Sequence, residues 1–469
     1  MNILFLVQPG TNSRRILLDM ARGFHRAGHR TTTIELAPVW AALSAQPQRA
    51  SEIKTQFTRE LSRALLGHSI ELCVAMWANA LFSLVNLRTP AEGQTQAREN
   101  TIFEALDIPH LLFWLDAPQW AHQDGVQPLF KKPILAERQL IHLINNTATA
   151  AEMTQLLGFG MTIAAPYAID EEVFKPHDVP LQADVVYASG PGMPAPTDLA
   201  LKLLESDEPD FGLLRAEAAA TLRPRLLESL EHCSVEPPQR EAFTDRAIDS
   251  QLHNRHTPVL QRVREIACED ASLARVAQWL LESPVAYTRF SMLLRQVEAS
   301  ERPFTAAFLS KRFNVETFGG GDLSAWGFQG FQHGMVDHER MAAIYSRAPI
   351  GLNLMRWQDD AGLNLKPIEI AASGCACVSV RRGGVEGVLT PTSEIELFDT
   401  PMQASRLIEA LLSDDARRQS LASQGRSRVL REHTWAVRAQ GLVEAVRARS
   451  LSARVSGTPE AMASEPVPA

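Results

Sequence analysis

The sequence predicts an α/β protein in which two doubly wound domains follow one another along the chain. Continuously apolar segments of strand length alternate with helical segments, which is typical of parallel sheets covered by helices on both faces. This alternation begins twice, first at residues 2–7 and again at 183–190. The chain of 469 residues is also too long for one ordinary core, so more than one domain is expected.

The first domain is predicted to span residues 1–165. Its first helix is SRRILLDMARGFHRAG, where Ile16, Leu17, Met20 and Phe24 share one face and Gly28 can end the helix. The predicted strands of this domain are NILFLV (2–7), HRTTTIEL (29–36), IELCVAM (70–76), IPHLLFWL (108–115), LIHLIN (140–145) and MTIAA (161–165).

The second domain is predicted to span residues 183–433, after a proline-bearing linker at 166–182. Residues 197–311 have a helical pattern throughout and are longer than a βαβ crossover needs, which predicts a helical insertion. The predicted strands are ADVVYASG (183–190), FNVETFGG (313–320), APIGLNLM (348–355), CACVSV (375–380) and EIELF (394–398).

The C-terminal end of the chain is predicted to contain one helix near 434–449, followed by a disordered tail at 451–469. The helix has a face to bury, and the tail is rich in Pro, Ala and Ser. The apolar positions of the helix are Trp435, Val437, Leu442, Val443 and Val446.

Composition argues against several classes of function. Hydrophobic residues make up 45% of the chain and charged residues 21%, as in soluble globular proteins. The net charge of −8 argues against a partner that is nucleic acid or an anionic membrane. The five cysteines show no disulfide framework, which fits a reducing cytoplasm. The opening apolar run is too short for a signal peptide, and no stretch reaches the ~20 apolar residues of a membrane span.

Several segments of the sequence resemble a known enzyme family. The segments are the linker region GFGMTIAAPYAIDEEVFKP, followed along the chain by VETFGGG, FQHGMVDHERMAAIYSRAPIGLNLMR, GLNLKPIEIAASGCACVSV and DDARRQSLASQGRSRVLREHTWAVR. Together they resemble the group-1 glycosyltransferase domain in the version found in CgeB-like (spore-maturation-type) proteins. The resemblance covers about 310–445 well, 156–192 moderately, and 1–155 only by strand pattern. It implies a GT-B enzyme whose two domains face a cleft and whose donor is a nucleotide-diphosphate sugar. It also implies that the chain after His433 leaves the second domain and packs its last helix, near 434–449, against the first domain.

The resemblance also implies roles for residues on the donor side. Glu369 would hold the ribose, because a carboxylate can accept from both ribose hydroxyls. Lys366 would bind the diphosphate together with the unpaired N–H groups of the helix start. The alternative is a surface Lys–Glu pair three residues apart that caps a helix. The other donor-side residues predicted are Asn364, Leu365, His333, Gly334, Gly190, Gly192 and Gly319. Asn364 could instead cap the helix, and His333 could instead cap the end of a strand.

Two departures from the family pattern leave the stereochemistry of transfer open. Retaining members often carry two glutamates eight residues apart, and Ala361 occupies the first position here, with Asp359 and Asp360 close by. The loop ASGPGMPAP after the first strand of the second domain lacks the Arg or Lys that often follows it.

The acceptor side is predicted from residues that follow strands of the first domain. Asp116 comes after the fourth strand, where it can be a general base for an acceptor hydroxyl or a turn residue. Trp77 and Asn79 follow the third strand, and Trp77 can stack on a sugar or belong to the core. Gly10 lies in the first βα loop.

A metal-independent transferase with no cofactor besides its nucleotide-sugar co-substrate is expected. No Asp-x-Asp and no metal-ligand spacing of His and Cys occurs in the sequence. The acceptor is not identified. A sugar-nucleotide epimerase of the same fold and a non-catalytic GT-B-like binding or assembly module are the alternatives.

Overall fold

The computed structural model describes residues 1–77, 102–118, 139–188, 190 and 193–456. The chain divides into two compact units. The first unit contains residues 1–170 and the chain from 432 onward, and the second contains Glu171–Arg431. None of the described helices is long and apolar enough to span a membrane.

The first unit is built on a six-stranded parallel sheet. Its strands are β1 (Asn2–Val7), β2 (Arg30–Glu35), β3 (Leu72–Met76), β4 (His110–Phe113), β5 (Leu140–Ile144) and β6 (Met161–Ala164). The helices that precede β6 are α1 (Thr11–Arg26), α2 (Ala37–Ala45), α3 (Ala50–Gly67), α4 (Ile102–Leu106) and α5 (Thr147–Leu156). The strand order is β2-β1-β3-β4-β5-β6. The central strands β3, β4 and β5 are buried at every residue, whereas the edge strand β2 is threonine-rich and partly exposed.

The second unit contains another six-stranded parallel sheet, in the order β12-β11-β10-β7-β8-β9. Its strands are β7 (Val185–Ala188), β8 (Val315–Phe318), β9 (Phe331–His333), β10 (Ile350–Asn353), β11 (Ala376–Val380) and β12 (Glu396–Phe398). Its helices are α6 (Asp198–Leu204), α7 (Phe211–Glu228), α8 (Pro237–His253), α9 (Val259–Glu269), α10 (Ala274–Glu282), α11 (Pro284–Arg295), α12 (Glu301–Ser310), α13 (Met341–Tyr345), α14 (Leu365–Ala372), α15 (Pro401–Ser413) and α16 (Asp415–Glu432). Helices α6 to α12 lie between β7 and β8 and form an entirely helical insertion.

Two chain segments that enter and leave the first unit run side by side. The amide of Ile169 donates to the carbonyl of His433 at 3.0 Å, and the amide of Trp435 donates to Ile169 at 2.9 Å. Asp170 is fully buried between two arginines of α1, Arg22 at 2.8 Å and Arg26 at 2.6 Å. These contacts fix the place where the chain leaves the unit and returns to it.

The returning chain forms α17 (Trp435–Ser456), which packs on α1. Trp435 is 2% exposed and meets the ring of Phe113 edge-on, with centroids 5.5 Å apart. Gly23 allows the two helices to approach, because a Cβ at this position would lie 2.2 Å from the Cβ of Trp435. The helix runs further than the predicted end near 449, since the first helix-breaking residue beyond it is Gly457.

The predicted α/β class is confirmed at the level of topology: the chain forms two doubly wound units, the second with a helical insertion. Strand β9 was not predicted from the sequence. Strand β9 has only three residues, all exposed at the edge of the sheet, so it has no apolar run to detect.

Candidate functional site

The topology of the second unit marks one place where a ligand is expected. From β7 the chain continues to one side of the sheet, towards β8 and β9, and from the neighbouring β10 it continues to the other side. Doubly wound sheets bind their ligands beyond the carboxyl ends of the strands at such a switch point. The loops that follow β7 and β10 meet there.

Two arginines flank the loop after β7. The carbonyl oxygen of Gly190 accepts a hydrogen bond from Arg302 Nη2 at 3.0 Å. A Cβ at Gly190 would lie 3.1 Å from Arg356 Nη2, so the absence of a side chain leaves room for the second guanidinium. Both arginines are half-buried. The positive charge that the loop itself lacks is therefore supplied by α12 and by the loop after β10.

Tyr187 lies beneath these two arginines, near the end of β7. Its hydroxyl is buried and has no hydrogen-bond partner among the described residues. Burial raises the pKa of the Tyr187 hydroxyl, and the nearby charges of Arg302 and Arg356 oppose that rise. The end of β7 is thus a site of positive potential.

The glycine-rich loop after β8 closes on the loop after β7. A Cβ at Gly321 would lie 2.8 Å from the carbonyl oxygen of Gly190, so the two backbones are in close contact. Gly319 has a φ of 135°, which favours glycine, and its amide donates to the carbonyl of Gly334 at 3.1 Å. The two predicted glycines Gly319 and Gly334 therefore join the ends of β8 and β9.

The start of α14 lies at the same edge of the sheet, because this helix connects the carboxyl end of β10 to the start of β11. Asn364 precedes the helix, but its side chain makes no capping hydrogen bond, and its buried Oδ1 has no partner among the described residues. Leu365 is the first helical residue, and Lys366 is half-buried and makes no hydrogen bond or ion pair with the described part of the chain. An uncapped helix start beside an unpaired ammonium group is suited to bind an anion.

Glu369 is 3% exposed, and one of its two carboxylate oxygens accepts a hydrogen bond. Its Oε2 accepts a hydrogen bond from the Tyr345 hydroxyl at 3.3 Å. Its Oε1 lies 3.8 Å from His338 Nδ1, too long for a hydrogen bond, and no described residue donates to it. Burial raises the pKa of Tyr345 well above its usual value, and the Glu369 charge adds to the rise, so the phenol stays protonated and donates.

Lys366 and Glu369 do not pair with each other in the structure. The alternative interpretation of the sequence, a surface Lys–Glu pair, therefore does not describe this helix. The carboxylate is instead buried against α13, while the ammonium group remains available at the helix start.

His333 lies on the edge strand β9, two strands from β7. Its ring stacks on Phe318 with centroids 4.3 Å apart and planes 6° from parallel. Its Nε2 lies 3.5 Å from Glu316 Oε2, and 38% of its side chain is exposed. The strand end therefore presents one face of an imidazole at the edge of the sheet.

Asp360 does not replace the glutamate that is missing at Ala361. Its Oδ2 accepts from Arg295 Nε at 3.0 Å and from the amide of Val259 at 2.9 Å. Through these two contacts Asp360 holds the helical insertion against the loop after β10. Ala361 itself is buried and forms a bridge with Gly383.

The predicted acceptor-side residues lie at the carboxyl ends of strands in the first unit. Gly10 is exposed before α1, and Asp116 is half-buried after β4. Trp77 is half-buried directly after β3, with a φ of 52° and an amide that donates to the carbonyl of Phe113 at 2.8 Å. Gly192 and Asn79 lie outside the described residues. The described residues contain no group of three or more His, Cys, Asp or Glu that could hold a metal ion.

Sequence reasoning located Lys366 and Glu369 because they lie within one continuous motif. It missed Arg302, Arg356 and Tyr345. Arg302 is 112 residues from Gly190, and Tyr345 is 24 residues from Glu369, so no local spacing signals either contact. Arg356 does stand directly after a predicted strand, which is the one sequence signal that could have identified it.

Solved structures show only distant likeness to the chain. A sucrose-phosphate synthase from Thermosynechococcus elongatus is 12% identical, with 96% of this chain and 100% of that chain covered and a TM-score of 0.48. Anabaena HepE in complex with UDP and glucose is 10% identical, with 96% and 100% covered and a TM-score of 0.47. T4 phage BGT in complex with UDP and Mn²⁺ is 8% identical, with 95% and 99% covered and a TM-score of 0.46. These values are too low to transfer a ligand or a reaction.

The match to a protein family covers only part of the chain. None of the curated proteins matches the chain. Residues 295–444, about one third of the chain, match the family model described as glycosyl transferase-like. This segment, which carries His333, Lys366 and Glu369, is therefore similar to glycosyl transferase-like proteins.

Proposed function

We propose that this protein is a GT-B glycosyltransferase of the CgeB-like type, which transfers a sugar from a nucleotide-diphosphate sugar to an acceptor. One observation carries the proposal: positive groups gather at the switch point of the second sheet. They are the guanidinium groups of Arg302 and Arg356 beside Gly190, and Lys366 at the uncapped start of α14. The glycosyl transferase-like match covers all three residues.

Such a site supplies what sugar transfer needs. The bond between the anomeric carbon and the diphosphate breaks, and the leaving diphosphate gains negative charge. Fixed cations and the helix dipole stabilise that charge without reorganising during the reaction. The remaining catalytic effect would come from holding donor and acceptor in line.

Glu369 is proposed to hold the ribose through Oε1. Its other carboxylate oxygen is occupied by the Tyr345 hydroxyl at 3.3 Å, which fixes the orientation of the group. Oε1 receives no hydrogen bond from the described residues and is the atom left to accept from a ribose hydroxyl. Because Glu369 is almost fully buried, we expect it to select a ligand group that reaches inwards rather than one at the surface.

In the first unit, Asp116 is proposed as the general base that takes the proton from the acceptor hydroxyl. Gly10 and Trp77 are proposed to line the acceptor, since all three follow strands of one parallel sheet. The proposed reaction is metal-independent. We expect turnover to continue in excess EDTA, and loss of turnover that Mg²⁺ or Mn²⁺ restores would contradict this part of the proposal.

A non-catalytic binding protein is the second candidate. It is favoured by Ala361, which stands where retaining relatives often carry a glutamate, and by the ion pair that commits Asp360 to Arg295. Such a protein would keep the anion site and lack turnover.

The test combines binding with turnover. The full-length protein is titrated with uridine, guanosine, adenosine and thymidine diphosphates by calorimetry, and then incubated with the corresponding nucleotide sugars. We expect one diphosphate to bind and its nucleotide sugar to release the diphosphate slowly even without acceptor, as water replaces the acceptor. Binding without release, also in the presence of an acceptor panel, would support the second candidate. Failure of every diphosphate to bind would overturn both.

A further inference from the structure

A pocket of about 430 Å³ lies in the second unit beside the proposed donor site. Its walls come from the loop after β7, from α7 of the insertion, from the segment between α11 and α12, and from Trp357. This volume is within the range of small-molecule sites, about 300–1,000 Å³. The wall formed by α7 lies outside the residues that match the glycosyl transferase-like family.

Helix α7 lines the pocket with two parallel rows of side chains. Leu214 and Leu222 belong to an apolar row and are 3% and 8% exposed. Glu217 and Thr221 form a polar row, four residues apart on the same face of the helix. The half-buried ring of Trp357 also lines the pocket. The pocket thus offers apolar surface and hydrogen-bonding groups side by side.

Two of the polar side chains have hydrogen-bonding atoms that the described residues do not use. Glu217 Oε2 accepts from the Thr197 hydroxyl at 2.5 Å, and its Oε1 makes no hydrogen bond with the described residues. The side-chain amide of Gln296, on the segment between α11 and α12, makes none with them either. A free carboxylate oxygen and a free amide can together accept from and donate to hydroxyl groups.

The pocket borders the proposed diphosphate site. Trp357 directly follows Arg356, and Ser300, another lining residue, lies two residues before Arg302. The two sites have opposite charge, because the arginines attract a diphosphate, whereas Glu217 repels one. A ligand of this pocket should therefore carry no phosphate.

We infer that the pocket binds a neutral saccharide unit of the acceptor. A sugar ring has apolar C–H faces for Trp357 and the leucines, and a rim of hydroxyls for Glu217 and Gln296. A purely apolar chain would cover Glu217 Oε1 without giving it a hydrogen-bond donor, which is unfavourable. This inference rests on the proposed function and names the substrate class of the acceptor.

The test measures saccharide binding to the full-length protein by saturation-transfer NMR. The probes are methyl glycosides of glucose, galactose, mannose and N-acetylglucosamine and their disaccharides. The variant Thr221→Trp fills the pocket, and Ala220→Trp, at an exposed position of the same helix outside the lining, is its matched control. We expect a signal from at least one probe that is lost in Thr221→Trp and kept in Ala220→Trp. Trp357→Ala should weaken the binding of that saccharide about tenfold.

Two outcomes would overturn the inference while leaving the proposed function intact. One is the absence of any saccharide signal, or a signal that survives Thr221→Trp, in a protein that still binds a nucleoside diphosphate. The other is displacement of the saccharide by the nucleotide sugar but not by the diphosphate, which would make the pocket a site for the donor's own sugar. Loss of diphosphate binding in the wild-type protein would instead contradict the proposed function.

Discussion

Lys366, Arg302 and Arg356 are the residues on which the proposed donor site depends. Arg302 also holds the Gly190 carbonyl, so replacing it would change the shape of the loop as well as its charge. Lys366 has no such structural contact among the described residues. It is therefore the residue whose substitution tests charge alone.

We predict that Lys366→Met weakens binding of the nucleoside diphosphate by about 1.5–3 kcal/mol, the scale of hydrogen bonds to charged groups. Affinity for the parent nucleoside, which has no phosphate, should not change, and neither should the free energy of unfolding. Calorimetric titration of both ligands measures the difference. Lys202→Met, an exposed lysine on α6, is the control. Equal losses for nucleoside and diphosphate would show that Lys366 does not act on the phosphates.

His110 gives a prediction about pH. It is fully buried on β4, and neither ring nitrogen has a partner among the described residues. Burial lowers the pKa of His110 to about 3, and the nearby His142 adds to the lowering. In the unfolded chain its pKa is near the ordinary value of about 6.5. Above that value both states are neutral, and below it only the unfolded state takes up the proton, so stability falls as pH falls.

We therefore expect His110 to remove about 1.4 kcal/mol of stability for each pH unit between about 6.5 and about 4. In His110→Leu this contribution should be absent, because leucine binds no proton. Denaturant unfolding at several pH values measures the free energy of unfolding of both proteins. Parallel pH dependences of wild type and variant would contradict the prediction.

The residue scale also shows what a sequence can predict about a site. Lys366 and Glu369 were identified because a helix start and its neighbouring strand lie in one short motif. The burial of Glu369 under Tyr345, and the approach of Arg302 to Gly190, depend on how helices pack on the sheet. Local periodicity carries no information about such contacts, so these residues became visible only in the folded chain.

At the scale of elements, segments with a strong apolar run were correctly predicted as strands, whereas β9, which has no such run, was not predicted. Every predicted strand has a counterpart among β1–β8 and β10–β12, with ends shifted by one or two residues at most positions. Strand β9 was missed because sheet pairing with β8, not burial, defines it. The helical insertion was predicted from its length and pattern, whereas the ion pairs that fasten it were not.

The fastening of the insertion can be tested through Asp360 and Arg295, which pair at 2.9 Å with side chains 7% and 1% exposed. Asp360→Asn leaves a buried guanidinium without its charge partner, so we expect a loss of about 3–5 kcal/mol. The double variant Asp360→Asn/Arg295→Met should lose less than the sum of the single variants, because it removes both charges. Hydrogen exchange of α9 and α11 localises the effect.

An exposed ion pair on the same insertion provides the control. Arg223 and Asp245 are 2.6 Å apart, but their side chains are 38% and 53% exposed. Solvent screens such a pair, so Asp245→Asn should change stability by less than about 1 kcal/mol. Equal losses at the two sites, or additive single variants at Asp360 and Arg295, would contradict a buried fastening.

At the scale of the whole molecule, the two units have separate sheets and separate cores, yet the chain of the first unit is not continuous. It leaves at Asp170 and returns at Glu432, and α17 packs on α1. The sequence predicted a C-terminal helix with an apolar face. The family resemblance implied that this helix packs against the first domain. Periodicity alone does not identify α1 as the helix it contacts, because α1 lies more than four hundred residues earlier in the chain.

The contact between α1 and α17 provides the last prediction. A Cβ at Gly23 would lie 2.2 Å from the Trp435 Cβ and within 2.9 Å of the backbone of Trp435 and Ala436. The backbone cannot yield as a flexible side chain would, so Gly23→Ala should force the helices apart and cost about 1–3 kcal/mol or more. Gly67→Ala is the control, since nothing lies within 4 Å of its Cβ position. At that helix end the change should be neutral or slightly stabilising.

Hydrogen exchange shows where the two variants differ from the wild-type protein. In Gly23→Ala we expect faster exchange in α1, α17 and the strands β1 and β3 on which α1 packs. Exchange in β7 and β10, which belong to the second unit, should be unchanged, and so should the affinity for the nucleoside diphosphate. Uniformly faster exchange in both units would show that the first unit does not unfold on its own. An unaltered Gly23→Ala protein would mean that α17 does not pack closely on α1.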